Sequence, residues 1–422
     1  MATPDAVLDK LSASNIFDLT GVVAVVTGGG TGIGLMISTT LMTNGATVYI
    51  IGPDQKQLDT IAKTYNDASQ NRGGKGKIVG IQGDIRLKDE AKRLADEIGR
   101  REGHITILFN NAGVLEGGLS LPPAEAAPNT SVDPSNKPTS AAAFSERYLT
   151  TTQEHFNNTF AVNAVGPYWL SASFLPLLEA WKSTPGGSKF APQIVMTSSM
   201  NGWTKDLSTA GLSVPYAMSK SAIGHFTSSL AHDLLPLGIR VNGIAPGLFI
   251  TEMTAPGTID SAGISHLESK ETGLIPLDKM PLFEIPCRQA PNTGVPLLGG
   301  TNRDMGSLAL FLTANWYVNG ETVLIDGGTL LRHPSSVIQS SHLGTDLIST
   351  SPITRTHPHS RNTTRRRNLS LAGVEGLEKI QATSGSVRRG AFSFITSTSL
   401  TLLALICKLT LDIKECGLER SA

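Results

Sequence analysis

Between Gly21 and Gly328 short apolar runs alternate with stretches of helical periodicity, and this alternation restricts the fold more than any other property of the chain. Two parallel strands need a long crossover between them, usually a helix. The rhythm therefore predicts an α/β fold, a doubly wound parallel sheet with helices on both faces. The runs Val22–Thr27, Ala46–Ile51, Lys77–Gln82, Ile105–Asn110, Gln193–Thr197, Ile239–Ile244 and Thr322–Asp326 are read as its seven strands. Helical stretches begin near Gly32, Gln55, Lys88, Gln153, Pro215 and Arg303.

This places one domain at residues 21–334, after a lead-in at 1–20 and before a tail at 335–422. Two segments break the rhythm: 115–148, rich in Pro, Ser, Ala and Asn, and 254–301, rich in Pro and Gly. Both are expected to be long loops, and both follow strands at the edge where an open sheet binds ligands. The second is the candidate substrate lid; for either, an insertion without a role is the alternative.

The first predicted strand runs directly into Thr27-Gly28-Gly29-Gly30-Thr31-Gly32-Ile33-Gly34, which opens a helix. Without a Cβ, Gly28 makes the sharp turn, Gly32 lets a pyrophosphate approach the backbone, and Gly34 lets helix and strand pack closely. The helix dipole then faces the phosphates. An ordinary glycine-rich connection remains the plainer reading of the run alone, and its place inside a complete βαβ unit favours dinucleotide binding of the Rossmann type. No Gly-Lys-Ser/Thr follows, which excludes a P-loop.

The second strand ends in Ile51-Gly52-Pro53-Asp54. Asp54 lies about 20 residues beyond the glycines, where an acid accepts from the adenosine ribose. It also follows Pro53, as a residue favouring a helix N-terminus does, so two readings stand.

With 35 basic and 35 acidic residues the chain carries no net charge, and no zinc-finger or RNA-binding signature is present, so nucleic acid is not expected as a partner. Cys287, Cys407 and Cys416 are odd in number and scattered, which argues against a disulfide framework and a structural zinc. No metal site is expected. The first nineteen residues lack a signal or transit pattern, so the cytoplasm is the default address.

Tyr216-Ala217-Met218-Ser219-Lys220 follows Pro215, and its i, i+4 spacing puts phenol and ammonium on one helix face. A free phenol titrates near ~10, so poising it near neutrality takes roughly 4 kcal/mol. A unit charge at ~4 Å supplies roughly 1 kcal/mol in water and about 4 at an effective dielectric of 20. Lys220 needs a shielded site, and a cationic nicotinamide would add to it. Upstream, Ile194 to Ser199 ends a strand in hydroxyls, so that Ser199 or Ser198 can hydrogen-bond a substrate carbonyl, or both can serve a turn.

Taken in order across roughly 21–330, these residues resemble the classical short-chain dehydrogenase/reductase family. Thr27–Gly34 resembles its TGxxxGxG, Asp84 in Gly83-Asp84-Ile85 its adenine-contacting acid, and Asn110-Asn111-Ala112-Gly113 its NNAG. Asn163 in Val162-Asn163-Ala164 resembles the catalytic asparagine, Ser199 the catalytic serine, and Tyr216 with Lys220 the YxxxK pair. Pro246-Gly247 with Thr251 resembles the segment closing over the nicotinamide, and Asn319-Gly320 through Asp326-Gly327-Gly328 the last strand.

The resemblance implies an NAD(P)(H)-dependent oxidoreductase interconverting a carbonyl and a secondary alcohol, with a 3-oxoacyl or related ketone as the leading substrate. Tyr216 would be the general acid or base, and Lys220 would bind the nicotinamide ribose and lower the phenol's pKa. Ser199 would steady the carbonyl oxygen, and Asn163 would anchor a water in the proton relay. Cofactor contacts are implied for Thr27, Gly28, Thr31, Gly32, Ile33, Gly34, Asp84, Ile85, Asn111, Ala112, Gly113, Tyr216, Lys220, Pro246, Gly247 and Thr251.

Gly52 stands where NAD-type members place an acid, and Pro53 where NADP-type members often place arginine; the chain has neither, and NADP(H) is favoured over NAD(H). The connection from Ser199 to Tyr216 is longer than usual and implies a larger loop near the substrate. A homodimer or homotetramer is implied too. The alternative is a non-catalytic dinucleotide-binding redox sensor or scaffold.

After Pro334 the rhythm stops, and Ser335–Gly390, rich in Ser, Thr and Arg, is expected to be disordered. Ala391–Cys407 is partly apolar but short of the ~20 residues that span a bilayer. A C-terminal membrane anchor and an appended segment outside the fold are the two readings of it.

Overall fold

A strand that is apolar on both faces must be covered on both, and Val23–Thr27 (β1) is buried along its whole length. Its neighbours are Thr47–Gly52 (β2), Lys77–Gln82 (β3), Ile107–Asn110 (β4), Gln193–Thr197 (β5), Arg240–Pro246 (β6) and Thr322–Ile325 (β7). The computed structural model describes residues 3–119, 140–211, 213–266 and 299–331. These strands form one sheet in the order β3-β2-β1-β4-β5-β6-β7, and every pairing is parallel.

Among the described residues the α-helices are Pro4–Leu11 (α1), Ala13–Ile16 (α2), Gly32–Thr43 (α3), Gln55–Gln70 (α4), Lys88–Glu102 (α5), Ala141–Tyr148 (α6), Gln153–Phe160 (α7), Gly166–Trp181 (α8), Val214–Asp233 (α9) and Asn302–Ala314 (α10). Successive strand residues point to opposite faces, and the core divides accordingly. On one face Ala24, Val26, Val48 and Ile50 meet Leu35 and Leu41 of α3, Leu58 and Ile61 of α4, and Met305 and Leu312 of α10. On the other Val23, Val25, Tyr49 and Ile51 meet Leu94 and Ile98 of α5, Leu170 and Phe174 of α8, and Ile223 of α9.

The strand order reverses direction between β1 and β4, which opens a crevice at the carboxyl ends of these two strands. The glycine turn after β1 and Asn110–Gly113 after β4 flank it, so the topology alone brings these motifs together.

The seven strands and the six expected helix starts fall within two residues of the sequence reading, whereas the start of α8 at Gly166 is not in it. The expected long loop 115–148 is corrected at its end. Ala141–Tyr148 is a helix, because three consecutive alanines follow Ser140, whose hydroxyl accepts from the Ala143 N–H at 3.2 Å. The lead-in also contains structure: Thr3 caps α1, with Pro4 in its first turn. Residues 120–139 and 267–298 of the two long segments, and residues 332–422 with the whole expected tail 335–422, lie outside the described residues. No helix among the described residues is long and apolar enough to cross a membrane.

Candidate active site

Gly28 and Gly32 both adopt positive φ, +63° and +49°, a region that favours glycine. A Cβ on Gly34 would lie 2.0 Å from the Gly28 carbonyl oxygen, so the third glycine is what lets α3 start directly under the turn. Gly29 is constrained as well: its Cβ would meet Ile50 at 2.6 Å, a contact that only the packed sheet reveals. Thr31, the residue preceding α3, makes no side-chain cap, and Ile33 is part-buried against the core below. The first N–H groups of α3 therefore have no side-chain cap from Thr31, and the glycines let an anion approach the backbone of the turn, which fits a dinucleotide diphosphate.

We expect Gly34→Ala to cost roughly 1–3 kcal/mol of stability through overpacking against backbone and to weaken dinucleotide binding at least tenfold. Chemical denaturation and titration of the variant with NADPH measure the two effects.

Thr27 joins this turn to the loop after β4. Its hydroxyl accepts from Asn111 N at 2.9 Å and Ala112 N at 3.0 Å, while Asn111 Nδ2 donates to the Thr27 carbonyl at 3.1 Å. Asn110 faces away from the crevice and donates to Ser171 on α8 at 3.1 Å. Gly113 is close-packed: a Cβ there would sit 3.3 Å from both Asn163 Oδ1 and Lys220 Nζ.

Asn163 occupies a single π-helical turn, Ala161–Val165, between α7 and α8. Its Oδ1 accepts from Val114 N at 2.8 Å, and its Nδ2 donates to Val114 O at 2.9 Å and to Ser219 Oγ at 3.0 Å. The carboxamide thus holds the loop after β4 against α9. Ser213, immediately before α9, does two tasks. Its hydroxyl caps α9 by accepting from Tyr216 N at 3.1 Å and donates to the Glu116 carbonyl.

The strand-end pattern alone leaves Ser198 and Ser199 both open and the resemblance selects Ser199; the structure gives the two serines different partners. Ser198 Oγ donates to the Lys220 carbonyl at 2.7 Å and is spent on the fold. Ser199 Oγ instead accepts from Asn201 N at 3.1 Å and lies 3.4 Å from the Pro246 carbonyl, and its hydroxyl acts on the Tyr216 phenol by lowering its pKa. Lys220 Nζ donates to Thr197 O at 2.8 Å and lies 5.6 Å from the centre of the Tyr216 ring. Asn163, Ser199, Tyr216 and Lys220 are all buried and converge at the carboxyl ends of β4, β5 and β6.

Burial raises the Tyr216 phenol above its ordinary value, and the hydrogen bond with Ser199 acts in the opposite direction. Burial lowers the Lys220 ammonium to about 8. Each group resists its charged form because water has been removed without a countercharge being supplied.

The segment after β6 closes the other side. Pro246 O lies 3.4 Å from Ser199 Oγ, and Gly247 packs so tightly on Asp326 that a Cβ would fall 2.6 Å from its Cα. Thr251 stands against the glycine turn, 3.0 Å from where a Cβ on Gly32 would be. Farther on, Tyr65 of α4 donates to Ala262 O at 2.9 Å.

At the end of β2 the carboxylate of Asp54 caps α4, accepting from Lys56 N at 2.9 Å and Gln57 N at 3.2 Å. Of its two readings, helix cap is the one this geometry supports. Asp84 is gripped by Arg86, with Nη2 to Oδ2 at 2.6 Å, and this guanidinium holds its carboxyl below the usual range. Ile85 follows it, buried against the start of α8. Arg86 went unread in the sequence, since nothing marks a lone arginine as the partner of an acid two residues earlier. Ser213 had a signal, a serine two residues before a proline that opens a helix. No cluster of three metal-binding side chains occurs among the described residues.

The family model described as short chain dehydrogenase matches residues 22–261, more than half of the chain. Among curated relatives, the short-chain dehydrogenase/reductase PhomF of Diaporthe leptostromiformis is 32% identical over 338 residues, covering 78% of this chain and 99% of its own. The rhamnolipids biosynthesis 3-oxoacyl-[acyl-carrier-protein] reductase of Pseudomonas aeruginosa is 27% identical, covering 74% of this chain and 97% of its own. Among solved structures, the RhlG/NADP active-site complex of Pseudomonas aeruginosa superposes with a TM-score of 0.52 at 25% identity, over 74% of this chain and 98% of that one.

Proposed function

This chain is a member of the short-chain dehydrogenase family, and on that premise we propose that it reduces a ketone, a 3-oxoacyl compound or a close relative of one, with NADPH as hydride donor. The family consists of oxidoreductases that act on CH–OH and C=O groups of small molecules with NAD(P). The observation that carries the reading is the meeting of Ser199, Tyr216 and Lys220 in one buried site beside a glycine turn whose close packing admits no Cβ at Gly34.

In the bound state the nicotinamide supplies the hydride that the protein itself lacks. Thr27 to Gly34 receives the diphosphate, and Asn111 to Gly113 forms the opposite wall. The Ser199 hydroxyl donates to the substrate's carbonyl oxygen. As negative charge grows there, Tyr216 passes its phenolic proton to that oxygen. Lys220 binds the nicotinamide ribose and steadies the phenolate left behind. Asn163 acts through the residues it holds, since its carboxamide is occupied by Val114 and Ser219.

The preference for NADP(H) rests on the absence of an acid at Gly52 together with the use of Asp54 as a helix cap; Lys56 on the first turn of α4 is the nearby cation. The 3-oxoacyl assignment draws on the relative from Pseudomonas aeruginosa. Cytoplasmic placement and a homodimer or homotetramer complete the reading.

The test is the loss of reduced-nicotinamide absorbance with NADPH and with NADH against 3-oxoacyl thioesters, cyclic ketones and aldehydes. We expect turnover of the 3-oxoacyl thioesters and at least a tenfold higher kcat/KM with NADPH, roughly 1.4 kcal/mol of discrimination. Tight NADPH binding with no turnover of any carbonyl would instead identify a redox sensor.

A further inference from the structure

Between Ser199 and Tyr216 the chain makes an excursion that the fold does not require, and its two ends are fastened to each other. Asn201 Oδ1 accepts from Thr209 Oγ1 at 2.6 Å, and Asn201 Nδ2 donates to the Thr209 carbonyl at 3.1 Å. Thr209 Oγ1 lies 2.8 Å from the Asp206 carbonyl, which ties the same hydroxyl into the loop. Asn201 is buried although it sits in a connection at the rim of the site, where a satisfied polar side chain signals a specific task.

The backbone of Asn201 has a second partner. Its N–H donates to Ser199 Oγ at 3.1 Å, within a tight turn in which Gly202 N also donates to Ser199 O at 3.0 Å. A serine hydroxyl has one proton and two lone pairs. With one lone pair taken by Asn201 N–H, the rotation of the hydroxyl is restricted, and its proton is turned to the Pro246 carbonyl at 3.4 Å, a long bond that a stronger acceptor in the crevice can replace. Four residues beyond Thr209, Ser213 caps Tyr216 N. The clamp thus joins the turn that orients Ser199 to the connection that delivers Tyr216.

We propose that Asn201, through its paired hydrogen bonds to Thr209, is a positioning residue that sets the Ser199 hydroxyl against the Tyr216 phenol for proton transfer. This rests on the assignment of Ser199 and Tyr216 to the chemistry. It names no contact between Asn201 and substrate. Releasing the clamp lets the turn shift, and misplacement by about 1 Å can cost on the order of 10²-fold in rate. The glycine turn and the loop after β4 are untouched, so dinucleotide binding stays.

The experiment uses the full chain and the best carbonyl substrate from the panel. Thr209→Val keeps the shape of the side chain and removes its hydroxyl, and Asn201→Ala removes both clamp bonds. We expect kcat to fall roughly tenfold in the first and further in the second, with NADPH Kd within about twofold of wild type. Thr209→Ser keeps the hydroxyl and restores kcat. Wild-type kcat in Thr209→Val and Asn201→Ala overturns the inference, as does an equal loss of kcat and NADPH affinity, which marks general damage. If Asn201→Ala does not fold, Thr209→Val against Thr209→Ser decides alone. Tyr216→Phe in parallel separates the layers: an inactive Tyr216→Phe beside a fully active Thr209→Val discards only the clamp, whereas an active Tyr216→Phe discards the assignment beneath it.

Discussion

Replacing Tyr216 by phenylalanine is expected to lower kcat/KM for ketone reduction by roughly 10²–10⁴-fold, about 3–5 kcal/mol of transition-state stabilisation. The change removes one oxygen from a buried ring whose surroundings otherwise stay as they are. Ser199 keeps the Asn201 N–H and Pro246 carbonyl at its hydroxyl, so the carbonyl-binding group survives. The dinucleotide loses one contact, and its Kd should stay within about threefold. A loss confined to kcat is the signature of an interaction made in the transition state. Stopped-flow measurement of NADPH oxidation, with an independent fluorescence titration of NADPH binding, separates the two. Unaltered single-turnover rates in Tyr216→Phe remove the phenol from the mechanism.

The sheet could be read from the chain because both of its signals are local. Length and apolarity distinguish a buried parallel strand, and glycine at Gly28, Gly32 and Gly34 reports a close approach that any other residue would block. What stayed illegible depends on partners distant in sequence. Ser198 and Ser199 are chemically identical, so only the resemblance could choose Ser199, and the physical reason for the choice, the path of α9 past β5 that gives Ser198 the Lys220 carbonyl, lies in the fold. Asp54 had two credible tasks until the first turn of α4 claimed its carboxylate. The π-helical turn at Asn163 shifts a hydrogen-bond ladder by one residue without any mark in composition, yet it belongs to the segment from which Asn163 reaches Val114. Helix α6 was hidden because the Pro- and Ser-rich residues before it dominate the composition of the segment. The Asn201–Thr209 clamp pairs two ordinary polar residues across a loop, a relation no single-sequence pattern encodes.

Lys220→Met is expected to make the dinucleotide-free protein more stable at pH 7 while abolishing turnover. The ammonium is buried, its Nζ bonded to the Thr197 carbonyl, and its pKa falls from the 10.5 of an ordinary lysine to about 8. Between those values the unfolded chain holds more protons than the folded one, so stability rises with pH across that window. Below pH 8 the folded protein bears the whole cost, roughly 3 kcal/mol for a shift of this size. Methionine fills similar space without charge and forfeits only the bond to Thr197, worth about 1 kcal/mol. The net gain at pH 7 is then about 2 kcal/mol, and it should shrink as the pH rises from 8 toward 10.5, where wild-type Lys220 is largely neutral in the folded state and half neutral in the unfolded one. Urea denaturation of both proteins at pH 7 and pH 10 checks the sign: a less stable Lys220→Met with a gap that ignores pH contradicts it. Saturating NADPH should reverse the ranking, because a ligand at a hundred times its Kd adds about 2.7 kcal/mol to the protein that binds it. A buried cation that weakens the empty protein and is repaid only by the dinucleotide is the mark of a residue retained for chemistry rather than for folding, and the same desolvation leaves Tyr216 unpoised until the site is filled.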